Sequence, residues 1–111
     1  MIEIIVKDYV SERLPVAVYM EFPEDPPSRF VILDRTNTTR ENHIDTSLFV
    51  AQSYAESKLE TAKLNERVKT VMDTLAVLND VSCSELNSDY PFPDTARKRH
   101  RYQAVYNVTH Y

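Results

Sequence analysis

No residue of this 111-residue chain is glycine. Every tight turn must therefore be built from residues that carry a Cβ, and the left-handed backbone region costs such residues about 1–2 kcal/mol each. Asn and Asp tolerate it best, which singles out Asn37, Asn42, Asn79 and Asn87 as turn positions. Gly-rich loops that cradle phosphates are excluded by the same absence. Proline supplies the remaining punctuation. Residues 23–27, Pro-Glu-Asp-Pro-Pro, form a stiff turn that neither a helix nor a central strand can cross.

Between these breaks the hydrophobic period changes in an ordered way. Ile2, Ile5, Val6, Tyr9 and Val10 recur at helical spacing until Pro15 stops them. Val16 to Phe22 reads as a strand, with Val16, Val18, Met20 and Phe22 on one face. A second strand runs from about Arg29 to Arg35, and the polar stretch from Thr36 to Asn42 reads as its connection to a third. That third strand, from His43 to about Tyr54, carries Ile44, Leu48 and Val50 on one face and Phe49 and Ala51 on the other, which suits a central position in an antiparallel pairing. Ser57 to Leu78 reads as one long helix, with Leu64, Val68, Val71, Met72 and Leu75 as its apolar stripe. Asn65 is the polar exception on that stripe, placed either to cap a backbone group in the core or to meet another subunit. Asn79 and Asp80 end the helix. Val81 to Leu86 begins a fourth strand that continues toward Tyr90, and a fifth places Tyr102, Tyr106 and Val108 opposite Gln103, Val105, Asn107 and Thr109. The expected architecture is one α+β domain over residues 1–111: a mostly antiparallel sheet of about five strands, with an N-terminal helix and one long helix on one face, in the order α-β-β-β-α-β-β.

Charge is distributed unevenly along this frame. The last acid is Asp94; residues 1–94 hold nine basic and seventeen acidic side chains, 9 − 17 = −8, and the remainder holds four basic side chains and no acid. Arg97, Lys98, Arg99, His100 and Arg101 follow a loop broken by Pro91 and Pro93. Contact between this cluster and the acidic body of a neighbouring copy is one use of the asymmetry, and nucleic acid is the other. Cys83 has no second cysteine to bridge, which points to a reducing, cytoplasmic setting. Glu3 and Asp8 interrupt the N-terminal apolar pattern, so neither an ordinary signal peptide nor a membrane-spanning helix is expected.

Catalytic and metal chemistry find no pattern. His43, His100 and His110 are dispersed, with no carboxylate or thiol at ligand spacing. Ser47 and Ser53 lack a nucleophile-elbow context, and Cys83 falls in a strand with no nearby base. Glu24, Asp25 and Asp45 lie at a turn and a strand edge without an acid–base partner. No enzyme, cofactor or metal is expected.

The element order, the run Arg40, Glu41, Asn42, His43 leading into a long strand, Ser53–Ala55 as the opening of the long helix, and the closing stretch SDYPFPDTARKRHRYQAVYNVTHY together resemble the tail-terminator family. These tail-completion, or head-to-tail joining, proteins belong to long-tailed phages and prophages. The resemblance implies a non-enzymatic virion protein of the tail and neck, assembled in the host bacterial cytoplasm. It would form a homo-oligomeric, hexameric ring that caps the tail-tube protein and meets the head-completion or connector protein, with DNA passing through the channel and no membrane partner. On this reading residues 97–101 form a subunit or tube interface.

Overall fold

The computed structural model describes residues 1–111. Its elements are α1 (Ile2–Arg13), β1 (Ala17–Tyr19), β2 (Phe30–Glu41), β3 (Ile44–Ala55), α2 (Lys58–Met72), β4 (Val81–Pro91) and β5 (His100–His110). They form the expected α+β arrangement, with one sheet in the order β1-β2-β3-β5-β4. β1 runs parallel to β2 and all other pairs are antiparallel. β3 is the central strand, as its two apolar faces required.

Both helices lie on one face of the sheet. α1 turns Val6, Tyr9 and Val10 inward, and α2 turns Leu64, Val68 and Met72 inward, onto Val31, Leu33, Phe49, Ala51, Ala104, Tyr106 and Val108. Ser57 starts α2: its Oγ accepts the Glu60 backbone N–H at 3.1 Å, the N-cap arrangement that satisfies an orphan donor. Tyr106 locks the sheet to the far end of the helix, its hydroxyl donating to Asp73 Oδ1 (2.7 Å) and to the Lys69 carbonyl (3.1 Å). Burial, reinforced by the Asp73 carboxylate, holds this phenol well above its ordinary pKa.

Four expectations are corrected. The long helix stops at Met72 and is followed by a 3₁₀ turn at Leu75–Val77, because the Thr74 hydroxyl and backbone N–H both bond the Val71 carbonyl (2.7 and 3.0 Å) and tighten the chain. Ser53–Ala55 closes β3 instead of opening α2. β1 is only three residues long; Val18 faces the helices, whereas Tyr19 and Phe22 pack on the opposite face against Phe30 and Tyr54. Parallel pairing forces this, since the chain must return along the sheet before β2 can start in the same direction.

The fourth correction concerns the stretch from Thr36 to Asn42. It is strand as far as Glu41, and the connection shrinks to Asn42 and His43. Both have positive φ (52° and 65°), as a two-residue type I′ hairpin demands. Of the four asparagines singled out, only Asn42 takes this conformation, and His43 and Lys98 take it as well. Replacing His43 by Gly removes a left-handed Cβ cost of about 1–2 kcal/mol against a smaller gain in unfolded-chain entropy. His43→Gly should therefore raise stability by about 0.5–1 kcal/mol, read as a higher urea midpoint; a lower midpoint would contradict the turn geometry.

Candidate functional site

The basic cluster lies at the tip of the β4–β5 hairpin. Asp94 and Arg99 exchange two backbone hydrogen bonds of 3.0 Å, and the Phe92 N–H donates to the Arg101 carbonyl at 2.9 Å. Antiparallel pairing alternates bonded and non-bonded positions. Pro91 and Pro93 occupy the non-bonded ones, so their missing N–H groups cost the ladder nothing. Thr95–Lys98 makes the turn, and Lys98, at φ 55°, closes it in the left-handed region that glycine would ordinarily fill.

Asp94 is the centre of this tip and is only 4% exposed. Its Oδ2 accepts the Tyr54 hydroxyl at 2.9 Å and Arg97 Nη1 at 3.2 Å, and its Oδ1 accepts the Arg97 backbone N–H at 3.2 Å. Arg101 stands 3.8 Å from the same carboxylate, donates to the Tyr54 oxygen (3.1 Å) and, through Nε, to the Phe92 carbonyl (2.6 Å). Burial pushes the Asp94 carboxyl up, but the bonds from Tyr54 and Arg97 and the charge of Arg101 outweigh it, and the net direction is down. Arg97 also stacks over Phe22, with its guanidinium carbon 4.1 Å from the ring centre, and Arg101 stacks over Phe92 at 4.3 Å.

The five residues singled out at this tip therefore divide in two. Arg97 and Arg101 are committed inward to a buried carboxylate, so the segment is an anchored hairpin and not a loop without core contacts. Lys98, Arg99 and His100 face an open hollow of about 400 Å³ against Pro26 and Pro27, and neither Lys98 nor Arg99 has an ion-pair partner. Glu56, at the rim of that hollow, is already taken by Arg29. Asp94 was the residue missed by sequence reasoning. Its signals were local: an acid three residues before an arginine, and prolines at alternate positions just upstream.

Two further polar groups are drawn together. Asn65 Nδ2 and Lys69 Nζ both donate to Asp89 Oδ2 on β4, at 3.1 and 2.8 Å, so Asn65 serves a side chain on the sheet within the same chain and caps no backbone group; its Oδ1 has no partner. Ser47 Oγ and His110 Nε2 lie 2.7 Å apart, a pairing that a sequence separation of 63 concealed. Ser47 is fully buried and also bonded to Thr38 Oγ1 (2.8 Å), which leaves a substrate no path to it. His43 and His100 lie elsewhere, and no three His, Cys, Asp or Glu side chains converge. Burial first, and then Glu85, push the Cys83 thiol up, away from the thiolate a nucleophile needs.

The sheet face opposite the helices is uncovered over most of its area. Gln52 Nε2 donates to Gln103 Oε1 (2.9 Å) and Gln103 Nε2 to the Tyr90 hydroxyl (2.6 Å), a polar ladder across β3, β5 and β4. Beside it a groove of about 440 Å³ runs between Phe22, Asp34, Val50, Arg97 and Gln103. No helix of the protein is long and apolar enough to cross a membrane. No protein-family model matches the chain, and none of the curated proteins matches it significantly.

Proposed function

We propose that this chain is a non-enzymatic phage or prophage tail-assembly protein: a ring-forming tail terminator that caps the tail tube and meets the head connector. The observation that carries this reading is the hairpin tip. A buried carboxylate holds it while it presents Lys98 and Arg99 beside His100, and the charges of Lys98 and Arg99 are unmatched within a chain that has seventeen acidic side chains against thirteen basic ones. Charge held on a fixed support sets the register of a protein–protein contact. A nucleic-acid module is the weaker reading, because Asp94 already neutralises part of the cluster; two free cations would give a salt slope of only about −2.

Lys98→Glu with Arg99→Glu tests the proposal without disturbing Asp94. The expected result is a folded protein and loss of infectious particles by at least about tenfold, the effect of a contact worth about 1.4 kcal/mol. Electron microscopy then reads the role: over-long tubes mean failed termination, and tails of normal length without heads mean failed joining. Particle yields equal to wild type would overturn the assignment of the tip.

A further inference from the structure

We propose that the acidic return segment at residues 21–25 of one copy of this chain docks on the basic hairpin tip of the next copy. Glu21, Glu24 and Asp25 are exposed and form no ion pair, and Lys98 and Arg99 are the free cations of the tip. Strand register places the two groups at one end of the sheet: Phe30, at the start of β2, pairs with Tyr54, and Tyr54 pairs with Arg101 near the start of β5. Strand order places them at its opposite edges, because the return segment joins β1 to β2 and the tip joins β4 to β5. Within one copy an open hollow of about 400 Å³ separates Pro26 and Pro27 from Lys98, Arg99 and His100, and no ion pair joins the acidic segment to the tip.

Both groups stand on stiff supports. Pro23, Pro26 and Pro27 fix φ along the return segment, and Phe22 ties it down, edge-on to Phe30 and Tyr54 and beneath the Arg97 guanidinium. Asp94 and the left-handed Lys98 hold the tip. Charges presented in this way lose little freedom on binding, and their complementarity decides which surfaces meet. Met20 beside the acids and Phe92 beside the tip are 44% and 43% exposed and add apolar area to the two sides. The patches differ and lie at opposite edges, so the contact is heterologous. Copies stand side by side, each giving its acidic segment to one neighbour and its tip to the other, and the row closes into a ring where the rotation allows. This names the contact behind the ring reading, and rests on that reading only for its place in the tail.

Exposed ion pairs are individually weak and screened by salt. The test is therefore analytical ultracentrifugation of the full chain at high protein concentration, in about 10 mM and about 1 M salt, where the Debye length is roughly 30 Å and 3 Å. Wild type should form species larger than a dimer at low salt and fall to a monomer at high salt. Lys98→Glu with Arg99→Glu should be monomeric in both, and so should Glu24→Lys with Asp25→Lys; unchanged urea midpoints check that the variants fold. A chain carrying all four substitutions has its charges exchanged and should assemble again, a recovery that a misfolded protein cannot give. A wild type that stays monomeric at low salt, stops at a dimer or keeps its mass at high salt would overturn the contact. Either reversal assembling alone, or the folded quadruple variant staying monomeric, would do the same. Normal tails from a phage lacking the protein would instead remove the tail role and leave the contact standing.

Discussion

Asp94→Ala should cost about 3 kcal/mol, near the lower end of what breaking a buried ion pair costs. The carboxylate is nearly inaccessible and receives Tyr54, the Arg97 backbone and the Arg97 side chain, with Arg101 beside it. Removing it strands the buried Tyr54 hydroxyl and leaves Arg101, whose side chain is 13% exposed, without its counter-charge. Arg97, half exposed, can return to water, which keeps the figure from the top of the range. A loss of about 3 kcal/mol lowers the melting temperature by roughly 10–20 °C in a domain of this size. The pH dependence follows from the direction of the shift. Because the folded carboxyl titrates below its ordinary value of 3.8, its stabilisation is complete above the unfolded value and disappears as pH falls through the folded one. Wild type should therefore lose stability below about pH 4 more steeply than Asp94→Asn. Parallel acid-unfolding curves for the two proteins would show that the hairpin tip does not depend on this charge.

The parts of the fold that could be read in the sequence are those in which one face alone is buried. Leu64, Val68 and Met72 repeat at helical spacing because α2 rests on the sheet along one stripe, and Ala104, Tyr106 and Val108 alternate because β5 has its helices on one side. The hairpin arm from Thr36 to Glu41 was illegible for the opposite reason. It lies at the sheet margin beyond β1, exposed on both faces, so hydrophobic alternation has nothing to record there. The end of α2 was set by the Thr74 hydroxyl, a local bond without a hydrophobic signature. The candidate site divides in the same way. The cluster at residues 97–101 is visible as composition, but which of its cations are free depends on Tyr54, forty residues from Asp94 in sequence and brought beside it by the pairing of β3 with β5.

Phe30→Ala carries the other large expected effect, a loss of about 3–5 kcal/mol, the usual range for deleting a fully buried aromatic ring. Phe30 is fully buried, stacks on Tyr54 at 4.6 Å between ring centres with the planes 6° apart, and receives Phe22 edge-on at 5.6 Å. It therefore joins three parts that sequence distance separates: the return segment after β1, the start of β2, and the β3 residue whose hydroxyl holds Asp94. The small cluster of Phe30, Ile32 and Tyr54 is cut off from the main core by the sheet itself, so nothing behind it can collapse into the space left by the ring. Urea unfolding gives the magnitude, and amide exchange gives the location: residues 19–22 and the 94–99 turn should lose protection while α2 keeps it. Phe30→Leu, which retains most of the apolar volume, should cost less than about 1.5 kcal/mol. Loss of protection spread evenly over α1 and α2 would mean that this face is continuous with the main core. Protection lost only at 19–22 and 94–99 would mean that the hairpin tip and the return segment open together, as a unit less stable than the helices behind the sheet.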